Sequence, residues 1–241
     1  MVRAVEKSPP SPAEHSPCCL VLFSKPAQPG YVKTRLIGRL TPDQAAELHA
    51  AFLGDLLQRL SQGDFDLHVA WAQDSGTKPP DVGLATIVQK GETLGDRLYA
   101  ALSKVSLNYS YVAAVGSDHP ELPLSRVHEA FDKLRAGSDV VVGPAHDGGY
   151  YLIALKRAAV DRALFDGVKW SSASVLSTTL ERCKSLGLVT EELEPAFDVD
   201  VPEDLDRLAS SLAVDDSTDC PRTRNLLASW EIGGDARKEE G

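Results

Sequence analysis

The sequence predicts an α/β protein: an open, largely parallel sheet with helices packed against it. Two observations carry that expectation. Short apolar runs without polar alternation, at residues 18–23, 111–115 and 139–143, suit strands buried on both faces. Between them lie longer stretches with apolar residues at helical spacing. The chain has 241 residues, 43% hydrophobic and 25% charged, which is ordinary for one large domain able to bury a core. Its formal charge of -10 argues against nonspecific nucleic-acid binding and against attraction to an anionic membrane. A small phosphorylated ligand needs only a local cluster of Lys and Arg.

No apolar run approaches membrane-spanning length. Residues 1–17 are polar and proline-rich, lack the hydrophobic segment of a signal peptide, and read as a disordered arm. Cys18, Cys19, Cys183 and Cys220 show no CxxC spacing and read as reduced, structural thiols of a cytoplasmic protein.

The first strand, residues 18–23, runs straight into Ser24-Lys25-Pro26-Ala27-Gln28-Pro29-Gly30-Tyr31-Val32-Lys33-Thr34-Arg35. A loop after the first strand of an α/β fold is a common phosphate cradle, built from backbone N–H groups and cations. Lys33 and Arg35 would straddle a polyphosphate if the segment is extended; the bland alternative is a solvated basic loop. Thr41-Pro42 then starts a helix with good capping chemistry, and Ala45, Leu48, Phe52, Leu56 and Leu60 give it an apolar face. His49 on this helix reads as a packing or surface residue. Residues 67–72 and 86–89 are the next strands, joined by a polar loop.

Lys90-Gly91-Glu92-Thr93-Leu94-Gly95-Asp96-Arg97 leads into a helix whose first turn holds Gly95 and Arg97. An Arg there opposes the helix dipole, so an anionic ligand or a salt bridge must account for it. After the strand at 111–115 comes Gly116-Ser117-Asp118-His119-Pro120. Asp118 projects from the carboxyl end of a central strand, the edge where open α/β sheets bind ligands. It is either a ligand for a hard cation that carries phosphates or the N-cap of a following helix.

A helix through Leu124, Val127, Phe131 and Leu134 ends near Gly137, and the strand at 139–143 exits into His146-Asp147-Gly148-Gly149. Those residues form a plain hairpin turn, or a place where backbone approaches a ligand, with His146 and Asp147 on the same edge as Asp118. Residues 158–165 read as one short helix. A loop carrying Trp170 and Ser171 follows, then a helix from Val175 to Leu186 and a short strand at 188–193. In Phe197-Asp198-Val199-Asp200-Val201-Pro202, Asp198 and Asp200 share a side if the stretch is extended. Asp200 is a candidate metal ligand; the alternative is a cap for the helix that Pro202 begins. Residues 213–241 read as a polar extension with a short docking helix at 225–230 and a loose tail from 233.

FSKPAQPGYVKTRL, KGETLGDRL, GSDHPEL, GPAHDGGYYLIAL with a later KWSS, and FDVDVPEDL together resemble the radical-SAM/selenodomain-associated transferases. That family lies within the GT-A (nucleotide-diphospho-sugar transferase) superfamily, and the resemblance spans about residues 18–212. It implies a Rossmann-like, three-layer fold with a central mixed, mostly parallel sheet. It also implies a glycosyltransferase that uses a nucleotide-sugar donor, a small-molecule acceptor and Mg²⁺ or Mn²⁺. Neither a nucleic-acid nor a membrane partner is expected, and the chain would work as a monomer or homodimer. Carried over by residue, Lys25, Gly30, Lys33, Arg35, Gly95 and Arg97 bind the nucleotide phosphates, while Asp118 and Asp200 bind the metal. Asp147, Gly148 and Gly149 match the turn that lines the acceptor side, where Trp170 and Ser171 are also expected, and for glycosyl transfer Asp147 or His146 is the catalytic residue that positions or deprotonates the acceptor hydroxyl. Where better-known relatives carry Asp-x-Asp, this chain has Gly-Ser-Asp-His. KPAQPGYVKTRL is also similar to the first loop of the phospholactate guanylyltransferases, and distantly to the molybdopterin nucleotidyltransferases. That second resemblance implies transfer of a nucleotidyl group from a nucleoside triphosphate with release of pyrophosphate.

Overall fold

Apolar runs with no polar alternation become the middle of the sheet. In the first strand, Cys18, Leu20 and Leu22 face one core cluster while Cys19, Val21 and Phe23 face another. A computed structural model describes residues 16–73, 76–214 and 220–232 of the chain. Most of the expected N-terminal arm and the expected loose tail from 233 lie outside the described residues.

The strands are β1 (Cys18–Ser24), β2 (Asp66–Trp71), β3 (Ala85–Val88), β4 (Tyr111–Gly116), β5 (Val140–Pro144), β6 (Tyr150–Lys156) and β7 (Thr190–Glu192). They form one seven-stranded sheet in the order β3-β2-β1-β4-β6-β5-β7. β1 pairs in parallel with β2 and β4, β2 with β3 and β5 with β7; β6 alone runs against its neighbours. The helices are α1 (Pro42–Leu60), α2 (Leu94–Ser106), α3 (Leu124–Ala136), α4 (Val175–Ser185), α5 (Pro202–Val214) and α6 (Pro221–Ser229). Leu53, Leu56 and Leu60 of α1 and Val127, Phe131 and Leu134 of α3 cover one face of the sheet. Leu98, Leu102 and Val105 of α2 and Cys183 of α4 cover the other. The result is the three-layer, Rossmann-like α/β architecture with a mixed, mostly parallel sheet.

Local chemistry explains the helix starts. Thr41 caps α1 in a capping box with Gln44, with Pro42 in the first turn, and Thr93 with Asp96 does the same for α2. The single helix expected at 158–165 is instead two 3-10 turns, Arg157–Ala159 and Arg162–Leu164. Val160 and Asp161 are extended, and the Asp161 carboxylate accepts from the Ala163 amide at 2.8 Å, which starts a new turn rather than continuing the old one. All four cysteines are free and buried. No helix among the described residues is long and apolar enough to cross a membrane.

Beyond α5, helix α6 docks on the outer side of α1. Cys220 and Leu227 join Leu36, Leu48, Phe52, Leu205, Leu208 and Leu212 in a third apolar cluster. Asp55, fully buried in α1, caps α6 from outside: it accepts from the Arg222 amide at 3.0 Å and from the amide and hydroxyl of Thr223 at 2.8 and 2.7 Å. Arg59, one turn further along α1, donates to the carbonyls of Pro120 and Leu122 at 2.7 and 3.1 Å and to the Cys220 sulfur at 3.0 Å. The start of α6 is thereby tied to the loop that carries Asp118.

Candidate active site

β1 and β4 run in parallel and end together, so the loops after Ser24 and Gly116 open side by side. A cleft of about 1050 Å³ lies at this carboxyl edge. Lys25, Lys33, Arg35, Arg97, Asp118, Asp147, Trp170, Ser171, Asp198 and Asp200 all contribute to its lining.

The basic loop is shaped by a turn in which the Tyr31 amide donates to the Gln28 carbonyl at 3.1 Å, with Gly30 at φ +79. Gly30 thus sets the path of the loop and does not line the cleft. Two residues on, Lys33 has φ 47 and ψ 37, a left-handed conformation costly for a long side chain. Its ammonium forms an ion pair with the nearer oxygen of Asp118, donates to the Val199 carbonyl at 2.7 Å and stands 3.8 Å from Asp200. The side chain is only 2% exposed. Lys33 therefore does not face a polyphosphate, as its place in a basic loop suggested; its charge is spent on protein acceptors. Arg35 does face the cleft, 62% exposed and 3.4 Å from Asp200. Lys25 is exposed at the same mouth.

Asp118 caps no helix, because α3 starts at Leu124 after Pro123. Its side chain is 46% exposed to the water of the cleft. Burial works to raise its pKa, but the Lys33 ammonium outweighs that and holds the carboxyl below its ordinary value. The segment 197–201 is pinned beside it. The Val199 amide donates to the Asp118 carbonyl at 2.9 Å, and His119 Nδ1 meets the Phe197 carbonyl at 2.8 Å. Burial pushes His119 down to about 4, so it is neutral and donates that bond through Nδ1–H. Asp198 and Asp200 both reach the cleft, as their period-two spacing predicts. The cap of α5 falls to Asp204, which accepts from the amides of Asp200 and Val201 at 3.0 Å each and leaves the Asp200 carboxylate to Lys33 and Arg35. Burial, then repulsion from Asp118, raises Asp200. Burial, then Asp118 and Asp200, pushes Asp198 up to about 7.

Beneath the loop, His49 is buried, with Nε2 at 3.0 Å from the Lys25 carbonyl and 3.3 Å from the Ser24 hydroxyl. The Ser24 hydroxyl donates to the Ser117 hydroxyl at 3.1 Å. This network joins the ends of β1 and β4 under the cleft floor. On the opposite wall, the hairpin between β5 and β6 presents Asp147, which accepts from the Gly149 amide at 2.8 Å. Gly148, at φ +88, lies so close to Ala173 that a Cβ would sit 2.3 Å from its carbonyl oxygen. The hairpin and the Trp170–Ser171 loop therefore pack together as one wall. Trp170 covers Gly95, where an added Cβ would meet the indole at 2.8 Å. Arg97 donates to the Gly91 carbonyl at 3.1 Å, closing the turn before α2 while still lining the cleft.

Several expectations change. His146 does not line the cleft; its ring lies 6.5 Å from Phe197, away from the acceptor wall to which it was assigned. Gly95, Gly148 and Gly149 act behind the surface, by leaving room for Trp170 and Ala173 and by fixing Asp147. Asp198, His49, Ser24 and Gln89 are cleft residues that sequence reasoning did not assign. Asp198 carried a usable signal, the shared side with Asp200. The others carried no spacing signal of that kind.

Among the described residues, no group of three or more His, Cys, Asp or Glu side chains is placed to hold a metal ion. Asp118 and Asp200 nonetheless fit an open site, since Mg²⁺ is typically held by one or two carboxylates with water and phosphate oxygens completing its shell. The repulsion that raises Asp198 and Asp200 is what a divalent charge would relieve.

The family model described as "Uncharacterized protein conserved in bacteria (DUF2064)" matches residues 55–172. A provisionally assigned nucleotide-diphospho-sugar transferase from Desulfovibrio desulfuricans G20 is 31% identical over 89% of this chain and 98% of its own, with a TM-score of 0.76. The chain belongs to the DUF2064 family. Beyond it, the DUF2064 fold is shared with a CMP:2-keto-3-deoxy-manno-octonic acid synthetase complexed with CTP, 16% identical over 82% of this chain and 98% of that one, TM-score 0.52. It is also shared with a cytidylyltransferase from Leptospira borgpetersenii, 12% identical over 89% of this chain and 95% of that one, TM-score 0.57. At those identities the likeness is one of fold alone. No protein in the curated comparison matches the sequence.

Proposed function

We propose that this chain is a metal-dependent glycosyltransferase that takes a nucleotide-diphospho-sugar donor and passes the sugar to a small-molecule acceptor. The observation that carries this reading is one cleft, at the carboxyl edge of β1 and β4, that gathers two accessible cations, Lys25 and Arg35, with the carboxylates Asp118 and Asp200. Its volume of about 1050 Å³ suits a nucleotide-sugar and an acceptor together. The relative from Desulfovibrio supports the donor class.

In this reading Asp118 and Asp200 hold Mg²⁺ or Mn²⁺, which supplies Lewis-acid stabilisation to a departing diphosphate. Arg35 offers its planar fork to the phosphate oxygens, and Lys25 and Arg97 add charge at the mouth. Asp147, held by the Gly149 amide, orients the acceptor hydroxyl. The acceptor oxygen bonds to the anomeric carbon, the bond from that carbon to the diphosphate oxygen breaks, and the acceptor proton passes to Asp147. Trp170 and Ser171 form the wall against which the acceptor lies. The motifs shared with the radical-SAM/selenodomain-associated transferases are the ones that meet here, which supports that narrower assignment. Four buried free thiols support a cytoplasmic setting.

A second reading keeps the cations and changes the bond that breaks. In nucleotidyl transfer, an acceptor phosphate attacks the α-phosphorus of a nucleoside triphosphate and pyrophosphate leaves. The first loop's similarity to the phospholactate guanylyltransferases favours it. A thermal-shift panel of UDP-sugars, GDP-sugars and nucleoside triphosphates, with and without Mn²⁺, separates the two. A metal-dependent shift by one nucleotide-sugar supports glycosyl transfer and identifies the donor. Preference for a triphosphate supports nucleotidyl transfer. Asp118→Ala abolishes the metal-dependent shift in either case; an undiminished shift in that variant rejects the metal assignment.

A further inference from the structure

Lys33 is the least economical residue in the cleft. A long side chain is held in a left-handed backbone at φ 47, is almost wholly shielded from water, and points its ammonium at protein rather than at ligand. Its partners identify its role. The Nζ atom pairs with Asp118, donates to the Val199 carbonyl at 2.7 Å and lies 3.8 Å from Asp200, on a side chain only 2% exposed. It stands between the two carboxylates that suit a metal, over the Phe52 ring at 5.1 Å. An ammonium and a divalent cation cannot share that space, because they repel and compete for the same oxygens.

We propose that Lys33 is a resident counter-cation: in the nucleotide-free protein its ammonium occupies the place between Asp118 and Asp200, and a divalent cation enters only by displacing it. The inference rests on the metal–nucleotide reading of the cleft. Its consequence is linkage. A freed ammonium needs an anion, and the donor's phosphates supply one in the same cleft. Metal alone therefore binds weakly, and metal with nucleotide binds well, each raising the affinity of the other by the same factor. The backbone favours release, since Lys33 can leave its left-handed conformation once the ammonium lets go. The 3-10 turn Thr34–Leu36 that follows has no side-chain cap to hold it.

The test is Mn²⁺ binding without nucleotide, followed by the loss of the free-ion EPR signal, in wild type and in Lys33→Met and Lys33→Ala. The expected result is at least tenfold tighter Mn²⁺ binding in both variants. Equal affinity in all three proteins overturns the proposal while leaving the metal reading intact; no binding by any of them overturns both. Should the variants not fold, acylation of the wild type with acetic anhydride, read by mass spectrometry, decides the matter. Lys33 is protected in the metal-free protein and becomes labelled at saturating Mn²⁺, with Lys25 labelled in both states. Protection of Lys33 in both states overturns the proposal.

Discussion

Replacing Asp55 by Ala tests how the last helix is held. Asp55 is fully buried, and its carboxylate takes the amides of Arg222 and Thr223 and the Thr223 hydroxyl at 3.0, 2.8 and 2.7 Å. The substitution leaves those donors without acceptors at a site where Thr223 is itself fully buried. A hydrogen bond to a charged group contributes about 1.5–3 kcal/mol and a helix cap about 1, and these terms are not additive, so the expected loss is roughly 4 kcal/mol. Removing a buried charge gives some of that back, but the unpaired donors dominate. For a chain of this size each kcal/mol moves the melting temperature by about 2–4 °C, so a fall on the order of 10 °C is expected. Asp55→Asn, which keeps an acceptor oxygen, loses about half as much. Thermal melts by circular dichroism measure the fall, and hydrogen exchange at 221–229 locates it. A melting temperature for Asp55→Ala within about 2 °C of wild type refutes the capping argument.

Three further outcomes follow from the cleft. Asp198 moves from an ordinary 3.8 to about 7 on folding, so the folded state favours its protonated form; that contribution is full below about 4 and is lost as pH rises through about 7. The limit is roughly 4 kcal/mol, and screening by water in the cleft reduces it to about 2. Asp198→Asn thus melts higher than wild type at pH 8, and the gap closes as pH falls to about 4; parallel melting curves against pH for the two proteins reject the shift. Asp118, held low, works in the opposite sense: its contribution is present above its ordinary value and is lost as the medium is acidified past it. Gly148→Ala places a Cβ against the Ala173 carbonyl in a left-handed backbone, so the wall carrying Trp170 must shift. Turnover should fall at least tenfold, for about 1–3 kcal/mol of stability, with donor affinity by thermal shift retained.

Much of this was legible before any coordinates. Unbroken apolar runs gave the positions of β1, β4 and β5, and Thr41-Pro42 marked the start of α1, because these signals are local. The period of two in Asp198-Val199-Asp200 correctly put both acids on one side. His146 and Asp147 were both expected on the edge of Asp118, but only Asp147 lines the cleft. Lys33 looked like any other cation of a basic loop. Its burial depends on Val199 and Asp200, which sequence distance hides. His49, too, gained its place at the cleft floor only when α1 packed under the ends of β1 and β4. Residues 158–165 read as helix because the break comes from one side chain, Asp161, bonding to its own backbone.

The antiparallel β6 and the far-flung partners of Lys33 bear on how the chain matures. Lys33 and Val199 are 166 positions apart. At about 5–20 residues per second of synthesis, the basic loop and its last partner emerge roughly ten to thirty seconds apart. By the end of that interval a nascent chain holds all seven strands, the acid at 118 and the wall of Asp147 and Trp170, yet lacks the acids of 198–200, α5 and the α6 tether through Arg59. The acids of the cleft are thus among the last parts to arrive, so a chain stalled or cut before the FDVDVP segment can hold all seven strands and still lack the carboxylates of 198–200.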